Sequence, residues 1–310
     1  MKVGIAGIGK MGAAIGTRLL AQGYDLTVWN RTPEKTQGLR DAGAQWAQSP
    51  QALTAAVDVV LTLLTDEQAL DEVYAGPQGL LSGLNGAGAA TGASTPALPR
   101  KIFIDMSTVQ PAKPQAMAAK LAALGAVFLE CPVGGSVGPA KEGKLLGFVG
   151  GASADVELVL PLLQTLCKRV EHVGTHGAGA TMKLAVNLPL MVYWQTLSEA
   201  LSLVEPLGLD PQRVVDILSD SSGGPNMLKV RGAMLAQTLK QKKSDQVTVN
   251  VATMRKDLRA MLAQGQSTQR EMPLTTLALA QFNQAAQNGL DDKDCTELPV
   301  WWLAQGGKRA

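Results

Sequence analysis

The chain has 310 residues, about two domains at roughly 150 residues each, and each is long enough to bury a hydrophobic core. Its 28 lysines plus arginines against 26 aspartates plus glutamates leave a net charge of +2, so no basic footprint points to nucleic acid or to an anionic membrane surface. With 46% hydrophobic and only 4% aromatic residues, the composition is that of an ordinary globular interior with few rings on which bases could stack.

Three cysteines, Cys131, Cys167 and Cys295, form no CxxC pair and are odd in number. Neither a disulfide framework nor a thiolate metal site is expected, and a reducing cytoplasm fits. The two histidines, His172 and His176, have HxxxH spacing, but Gly174 lies between them and no third ligand is near, so no metal is expected. Met1-Lys2 leads straight into Val3–Ala6, too short an apolar run for a signal peptide, so no targeting segment is expected ahead of the first strand. The longest apolar stretch, from Leu184 to Leu197, is interrupted by Asn187, Pro189 and Gln195 and falls short of the roughly 20 residues of a membrane span.

The first elements alternate strand and helix. Lys2 to Ala6 reads as a strand, Met11 to Gln22 as a helix closed by Gly23, and Leu26 to Trp29 as a second strand, which completes a parallel βαβ unit. A helix from about Pro33 follows, then strands at 57–63 and 102–105, with a Gly/Ala/Ser/Thr/Pro-rich loop of low order over 76–101. Beyond Asp105 come a helix ending near Gly125, a strand at 127–129, a glycine-rich turn over 134–143 and a strand at 145–149. From about residue 177 helical periodicity dominates, with helices expected at 178–207, 211–218, 247–263 and 274–287, broken by glycines that tolerate positive φ. The pattern predicts an α/β fold: a Rossmann-type dinucleotide-binding domain over 1–175 and an all-helical domain over 176–310, joined by the long helix from Ala178. Pro189 cannot donate its helical hydrogen bond, so a kink or local unwinding is expected there.

Gly7-Ile8-Gly9-Lys10-Met11-Gly12 satisfies GxGxxG between a strand and a helix, the context in which the motif binds a dinucleotide. Gly7 permits the tight turn, Gly9 admits a pyrophosphate to the backbone, and Gly12 lets the helix pack close, with its N-terminus facing the anion. At the end of the second strand stands Asn30-Arg31-Thr32 where an NAD site would place a carboxylate on the ribose. Arg31 can fork onto a 2′-phosphate with neutral hydrogen bonds from Asn30 and Thr32, which points to NADP(H); the alternative is a solvated Arg31 with Glu34 on the ribose. Lys183 and Asn187 are four apart on one helix face. Partial desolvation would lower the pKa of Lys183 towards the range useful for proton transfer, and the competing reading is a lysine whose head snorkels to solvent.

These motifs resemble those of the β-hydroxyacid dehydrogenases, the group of 3-hydroxyisobutyrate dehydrogenase, tartronate semialdehyde reductase and the glyoxylate/succinic semialdehyde reductases. The resemblance runs through the glycine loop, Leu64-Thr65-Asp66, Asp105-Met106-Ser107-Thr108, Glu130-Cys131-Pro132-Val133-Gly134-Gly135, Gly177-Ala178-Gly179 leading to Lys183 and Asn187, and Lys256-Asp257. It implies an NADP(H)-dependent oxidoreductase acting on a small carbonyl or hydroxy compound in a cleft between the domains. Lys183 would be the general acid/base and Asn187 would hold the substrate oxygen. Leu64, Thr65, Thr108 and Lys256 would contact the cofactor, and Ser107, Gly134, Gly135, Ser136 and Asp257 the substrate. A homodimer or homotetramer is implied as well. The chain departs from the family pattern in reading Gly134-Gly135-Ser136 where Ser-Gly-Gly is usual, and Val186 where a second Asn is usual. The competing readings are an imine reductase, which shares the architecture but typically replaces the lysine, and a non-catalytic NADP-binding scaffold, which has no need of a proton donor. Tyr193 and Trp194 read as packing residues. The Ser221-Ser222-Gly223-Gly224 segment reads as a turn, Asp291-Asp292-Lys293-Asp294 as a solvated loop, and residues 85–100 as an insertion.

Overall fold

The computed structural model describes residues 1–86 and 100–306, which group into two compact units, Met1–Lys183 and Leu184–Ala310. In the first unit, β1 (Lys2–Ala6), β2 (Asp25–Trp29), β3 (Gln45–Trp46), β4 (Val59–Thr62), β5 (Ile102–Asp105), β6 (Val127–Glu130), β7 (Val133–Gly134), β8 (Leu145–Gly150) and β9 (Cys167–Gly174) form one sheet in the order β3-β2-β1-β4-β5-β6-β8-β7, with β9 beside β8. From β3 through β6 every pairing is parallel; β8 runs antiparallel to β6 and β7. Both faces of the parallel strands are covered, which is why they read as continuous apolar runs. Val3, Ile5, Leu26, Val28, Val59, Leu61, Ile102 and Ile104 point into one core, and Ala6, Val60, Phe103 and Phe128 into the other, the period-two alternation of a strand.

Helices α1 (Lys10–Ala21), α2 (Gln37–Asp41), α3 (Pro50–Ala56), α4 (Glu67–Ala75), α5 (Ala112–Ala123), α6 (Val137–Lys141) and α7 (Ser153–Leu166) make the connections. Side-chain caps start two of them: Ser49 Oγ accepts from Ala52 N and Asp66 Oδ1 from Ala69 N, each satisfying an otherwise orphaned first-turn donor. In α7 the residues Val156, Val159, Leu162, Leu163 and Leu166 are buried at three- and four-residue spacing, a stripe facing the sheet. Neither α3, α4 and α7 nor the strands β3 and β9 were expected from periodicity. The supposed low-order loop is corrected in part: Leu80–Gly86 forms a 3-10 helix with Leu80 fully buried, while residues 87–99, which hold most of the proposed insertion, lie outside the described residues.

Helix α8 (Ala178–Val204) is followed by a 3-10 turn at Glu205–Leu207 and by α9 (Pro211–Asp220), α10 (Asn226–Gln241), α11 (Val251–Ser267), α12 (Pro273–Ala285) and α13 (Glu297–Gly306). Leu184, Met191, Trp194, Leu197 and Leu201 of α8 enter the core of the second unit with Val215, Leu235, Met254, Leu258 and Phe282. The expected unwinding at Pro189 does not occur, since α8 is continuous through it. Ala185, whose carbonyl loses its donor, and Pro189 are both exposed, so water can take the place of the missing bond. The acidic loop is corrected too. Asp294 is fully buried, and its carboxylate accepts from Thr248 N and Oγ1 and from Thr296 N and Oγ1, because the segment before α11 folds over it. Among the described residues no helix is long and apolar enough to cross a membrane.

Candidate active site

The strand order reverses between β2-β1 and β4, and in open α/β sheets ligands bind at that switch point, outside the carboxyl ends of the strands. The register brings the ends together: Ala6 pairs with both Trp29 and Thr62, so the turns that begin at Gly7, Asn30 and Leu63 share one edge. Gly7 sits at φ 104° and a Cβ there would strike the Leu63 carbonyl; a Cβ on Gly12 would strike the Gly7 carbonyl. Both glycines are therefore required by the fold of the turn itself. At Gly9 an added Cβ would meet nothing within 4 Å. The protein alone does not demand glycine there, whereas a group bound against the backbone would.

These turns border a cavity of about 360 Å³ lined by Gly7, Gly9, Asn30, Arg31, Thr32, Leu64 and Thr65, together with Lys35, Glu72 and the Gly76–Gly79 segment. Seven residues expected to bind the dinucleotide are thus brought to one place. Ile8 is buried in the sheet core, Met11 packs against that core, Lys10 opens α1, and Thr108 is half-buried beyond β5. The Asn30 amide also ties the glycine loop to the end of β2: its Oδ1 accepts from Ile8 N at 2.9 Å and its Nδ2 donates to the Thr32 carbonyl at 2.9 Å. Arg31 is exposed and lies 3.7 Å from the Glu72 carboxylate, a solvent-screened pair of small energetic weight. Lys35 was missed by the sequence reading. Its signal is a second cation four residues after Arg31, placed by the 3-10 turn Pro33–Thr36 on the same rim.

Beyond the cavity, Thr62, Asp105 and Glu130 stand side by side at the ends of β4, β5 and β6, in register. Asp105 is buried and accepts from Thr62 Oγ1 at 2.7 Å and Ser107 Oγ at 2.7 Å; burial raises its pKa above the ordinary carboxylate value, against the pull of those hydrogen bonds. Ser107 also accepts from Leu64 N at 2.9 Å. Its hydroxyl therefore joins the β4 and β5 turns. The Gly134-Gly135-Ser136 turn leads from β7 into α6, with Gly135 at φ 131°, and the Ser136 hydroxyl makes no capping bond to that helix.

Lys183 lies half-buried on α8, six residues past Gly177, in the first unit; Asn187 lies half-buried one turn further on, in the second. Within the second unit, Asn187 Nδ2 donates to Asp257 Oδ2 at 3.4 Å and Lys256 Nζ lies 3.2 Å from Asp257 Oδ1. The Asp257 carboxylate is buried and faces those two side chains, so that it can orient Asn187 and Lys256. His172 Nε2 lies 2.9 Å from the Gly151 carbonyl and His176 Nε2 2.8 Å from the Phe128 carbonyl, both structural contacts. No group of three or more His, Cys, Asp or Glu side chains among the described residues is arranged to hold a metal ion. Trp194 is buried in the helical core, and Tyr193 borders an apolar hollow with Val186, Pro189 and Leu190.

Comparison with known proteins bears on this geometry. The family described as the NAD binding domain of 6-phosphogluconate dehydrogenase matches residues 2–174, and that described as NAD-binding of NADP-dependent 3-hydroxyisobutyrate dehydrogenase matches residues 177–301. The chain is 31% identical over 303 residues to 3-hydroxyisobutyrate dehydrogenase of Pseudomonas aeruginosa, covering 96% of this chain and 97% of that protein. It is 32% identical over 294 residues to glyoxylate/succinic semialdehyde reductase 1 of Arabidopsis thaliana, covering 95% and 96%. A solved structure of Psf3 in complex with NADP+ and 2-OPP superposes with a TM-score of 0.82 at 27% identity, covering 97% of this chain and 99% of that one. Fold, glycine loop and relatives together define an oxidoreductase that uses a nicotinamide dinucleotide. The chain belongs to the β-hydroxyacid dehydrogenase family.

Proposed function

We propose that the protein is an NADP(H)-dependent reductase of a small aldehyde, semialdehyde or keto acid, or runs the reverse oxidation, with Lys183 as the general acid/base. The observation that carries the reaction is Lys183 itself: a half-buried ammonium on a helix whose first turn is bonded to the dinucleotide-binding sheet. The preference for the 2′-phosphate rests on Arg31 and Lys35, two exposed cations on the cavity rim beyond β2. An arginine fork and a point charge together favour a dianion over a ribose hydroxyl.

The residues fit the cofactor: Gly9 leaves the space a pyrophosphate needs, Arg31, Thr32 and Lys35 would hold the 2′-phosphate, and Leu64 and Thr65 would pack along it. When bound, NADPH supplies the hydride that reduces the carbonyl carbon. Lys183 donates its proton to the carbonyl oxygen as negative charge develops there, so the oxyanion is neutralised where it forms. Asn187, one turn along the same helix face, hydrogen-bonds that oxygen, with its amide oriented by Asp257. Backbone N–H groups of the Gly134-Gly135-Ser136 turn and the Ser136 hydroxyl are available to a substrate carboxylate. Catalysis of this form needs no metal.

The relatives' substrates set the first panel: 3-hydroxyisobutyrate with NADP+, and glyoxylate, succinic semialdehyde and tartronate semialdehyde with NADPH, each repeated with the non-phosphorylated cofactor. Turnover of at least one carbonyl compound, with NADPH favoured over NADH in kcat/KM, is the expected result. Turnover confined to a cyclic imine would replace the carbonyl reading with that of an imine reductase, and NADPH binding with no turnover of any substrate would leave a scaffold. We propose also that the chain works in the cytoplasm as a homo-oligomer. Support for self-association comes from the helical unit, where Leu203, Leu207, Leu274 and Leu277 are each more than 60% exposed, more apolar surface than solvated helices ordinarily present.

A further inference from the structure

We propose that Glu130 is a positioning residue for the reaction: its carboxylate fixes the first turn of α8 and, through it, the point from which Lys183 presents its ammonium. The inference rests on the reading of Lys183 as the acid/base. Glu130 ends β6 in the middle of the sheet and is fully buried. Its Oε1 accepts from Gly177 N at 2.5 Å and Gly179 N at 3.0 Å, and its Oε2 accepts from Ala180 N at 3.1 Å. Ala178 N bonds the Thr175 carbonyl, and from Thr181 N to the Gly177 carbonyl the regular helical ladder takes over. Every donor at the start of α8 thus has an acceptor, and three of the four bonds go to one side chain from a strand 47 residues earlier. A helix ordinarily leaves its first four N–H groups to water or to its own cap.

The surroundings are built to admit this carboxylate. A Cβ on Gly150 would fall on Glu130 Oε1, and one on Gly179 would press on the Phe148 carbonyl and stand 3.1 Å from Glu130 Cγ. Glycine at both positions lets the strand β8 and the helix close on the side chain from two directions. When ionised, the carboxylate also lies at the positive end of the helix dipole. Because the anchor is rigid strand on one side and the first helical turn on the other, the backbone at Lys183, about 9 Å along the axis from Gly177 at 1.5 Å per residue, has its height and rotation set by Glu130. Proton donation in a hydride transfer is sensitive to such placement; an error of about 1 Å can cost on the order of 100-fold in rate.

Glu130→Gln and Glu130→Asp test this on the full-length enzyme, beside Lys183→Ala. In Glu130→Gln an amide NH₂ faces the Ala180 N–H, so one bond is replaced by a clash of donors; in Glu130→Asp the charge survives but the arm is one methylene short, and the helix must shift to follow it. The expected result, well below the melting temperature and with the folded fraction matched by circular dichroism, is a fall in kcat of about 10- to 100-fold in Glu130→Gln. KM for the substrate and Kd for NADPH should stay within about twofold, and hydrogen exchange over residues 177–183 should quicken. Glu130→Asp, the safeguard if the glutamine variant fails to fold, should fall between it and wild type in kcat. A lowered melting temperature with kcat unchanged in both variants, while Lys183→Ala loses turnover, would overturn the proposal and leave Glu130 a purely structural cap. Full turnover in Lys183→Ala would instead overturn the functional reading, and the role of Glu130 with it.

Discussion

Arg31 and Lys35 line the cavity together with Glu72, and under the proposed preference for NADP(H) the two cations would hold the 2′-phosphate. Arg31→Ala should raise the Kd for NADPH by about 10- to 100-fold, the range of one or two charge-assisted hydrogen bonds, and leave NADH binding within about twofold; isothermal titration with both cofactors measures it. Equal weakening of the two would make Arg31 a surface charge only. The glycines of the loop separate in the same way. Gly9→Ala meets no protein atom within 4 Å, so the urea midpoint should be unchanged while NADPH affinity drops at least tenfold. Gly7→Ala, at positive φ and against the Leu63 carbonyl, should cost on the order of 1–3 kcal/mol of stability before any ligand is added.

Among the elements, the ones that sequence made legible are those with a local reason to exist. The β1-α1-β2 unit shows a buried alternation, a glycine-bounded helix and a motif whose spacing has a mechanical meaning, and α8 shows a long apolar period from Ala178. Helix α4 was overlooked even though its Asp66 cap is visible, because Leu64-Thr65-Asp66 was read only as a cofactor loop. Strand β3 has two residues, too few for any period, and β9 reads Cys-Lys-Arg-Val-Glu-His-Val-Gly, in which charged and apolar residues keep no period of two. Asp294 looked like part of a solvated acidic run; its donors come partly from Thr248 and Val249, 46 and 45 residues away, which no local pattern can reveal. Glu130 was likewise hidden, since a carboxylate at a strand end declares nothing until the start of α8 is seen on it. Replacing Asp294 with Ala removes the acceptor of those bonds and should lower the unfolding free energy by about 3 kcal/mol or more, at about 1–3 kcal/mol per stranded donor, as read by urea denaturation.

At the scale of the whole molecule, two buried carboxyls shape the response to pH. Burial raises Glu130 from its ordinary 4.5 to about 7, with the three backbone bonds pulling down and Asp105 adding to the rise; Asp105 is raised by burial in the same direction. Both bind protons more tightly folded than unfolded. Their stabilising contribution is therefore complete below the unfolded carboxyl values and is lost as pH rises through the folded ones. For Glu130 that window runs from about 4.5 to about 7, and the loss is a few kcal/mol at about 1.4 kcal/mol per pKa unit. Urea midpoints taken from pH 5 to 8 should fall across this window in the wild type, and the fall should be smaller in Glu130→Gln. A slope identical in the two proteins would mean that Glu130 titrates at an ordinary carboxylate value.

Under the proposed function, Lys183 on α8 donates the proton and the dinucleotide held at the switch point of the sheet supplies the hydride. The most direct test is NADPH oxidation by Lys183→Ala with whichever carbonyl substrate the wild type turns over. Lys183 as the general acid predicts that kcat falls by at least about 100-fold, the lower range for loss of such a group, while NADPH binds within about twofold of wild type. Turnover within a few-fold of wild type, at unchanged cofactor affinity, would contradict it.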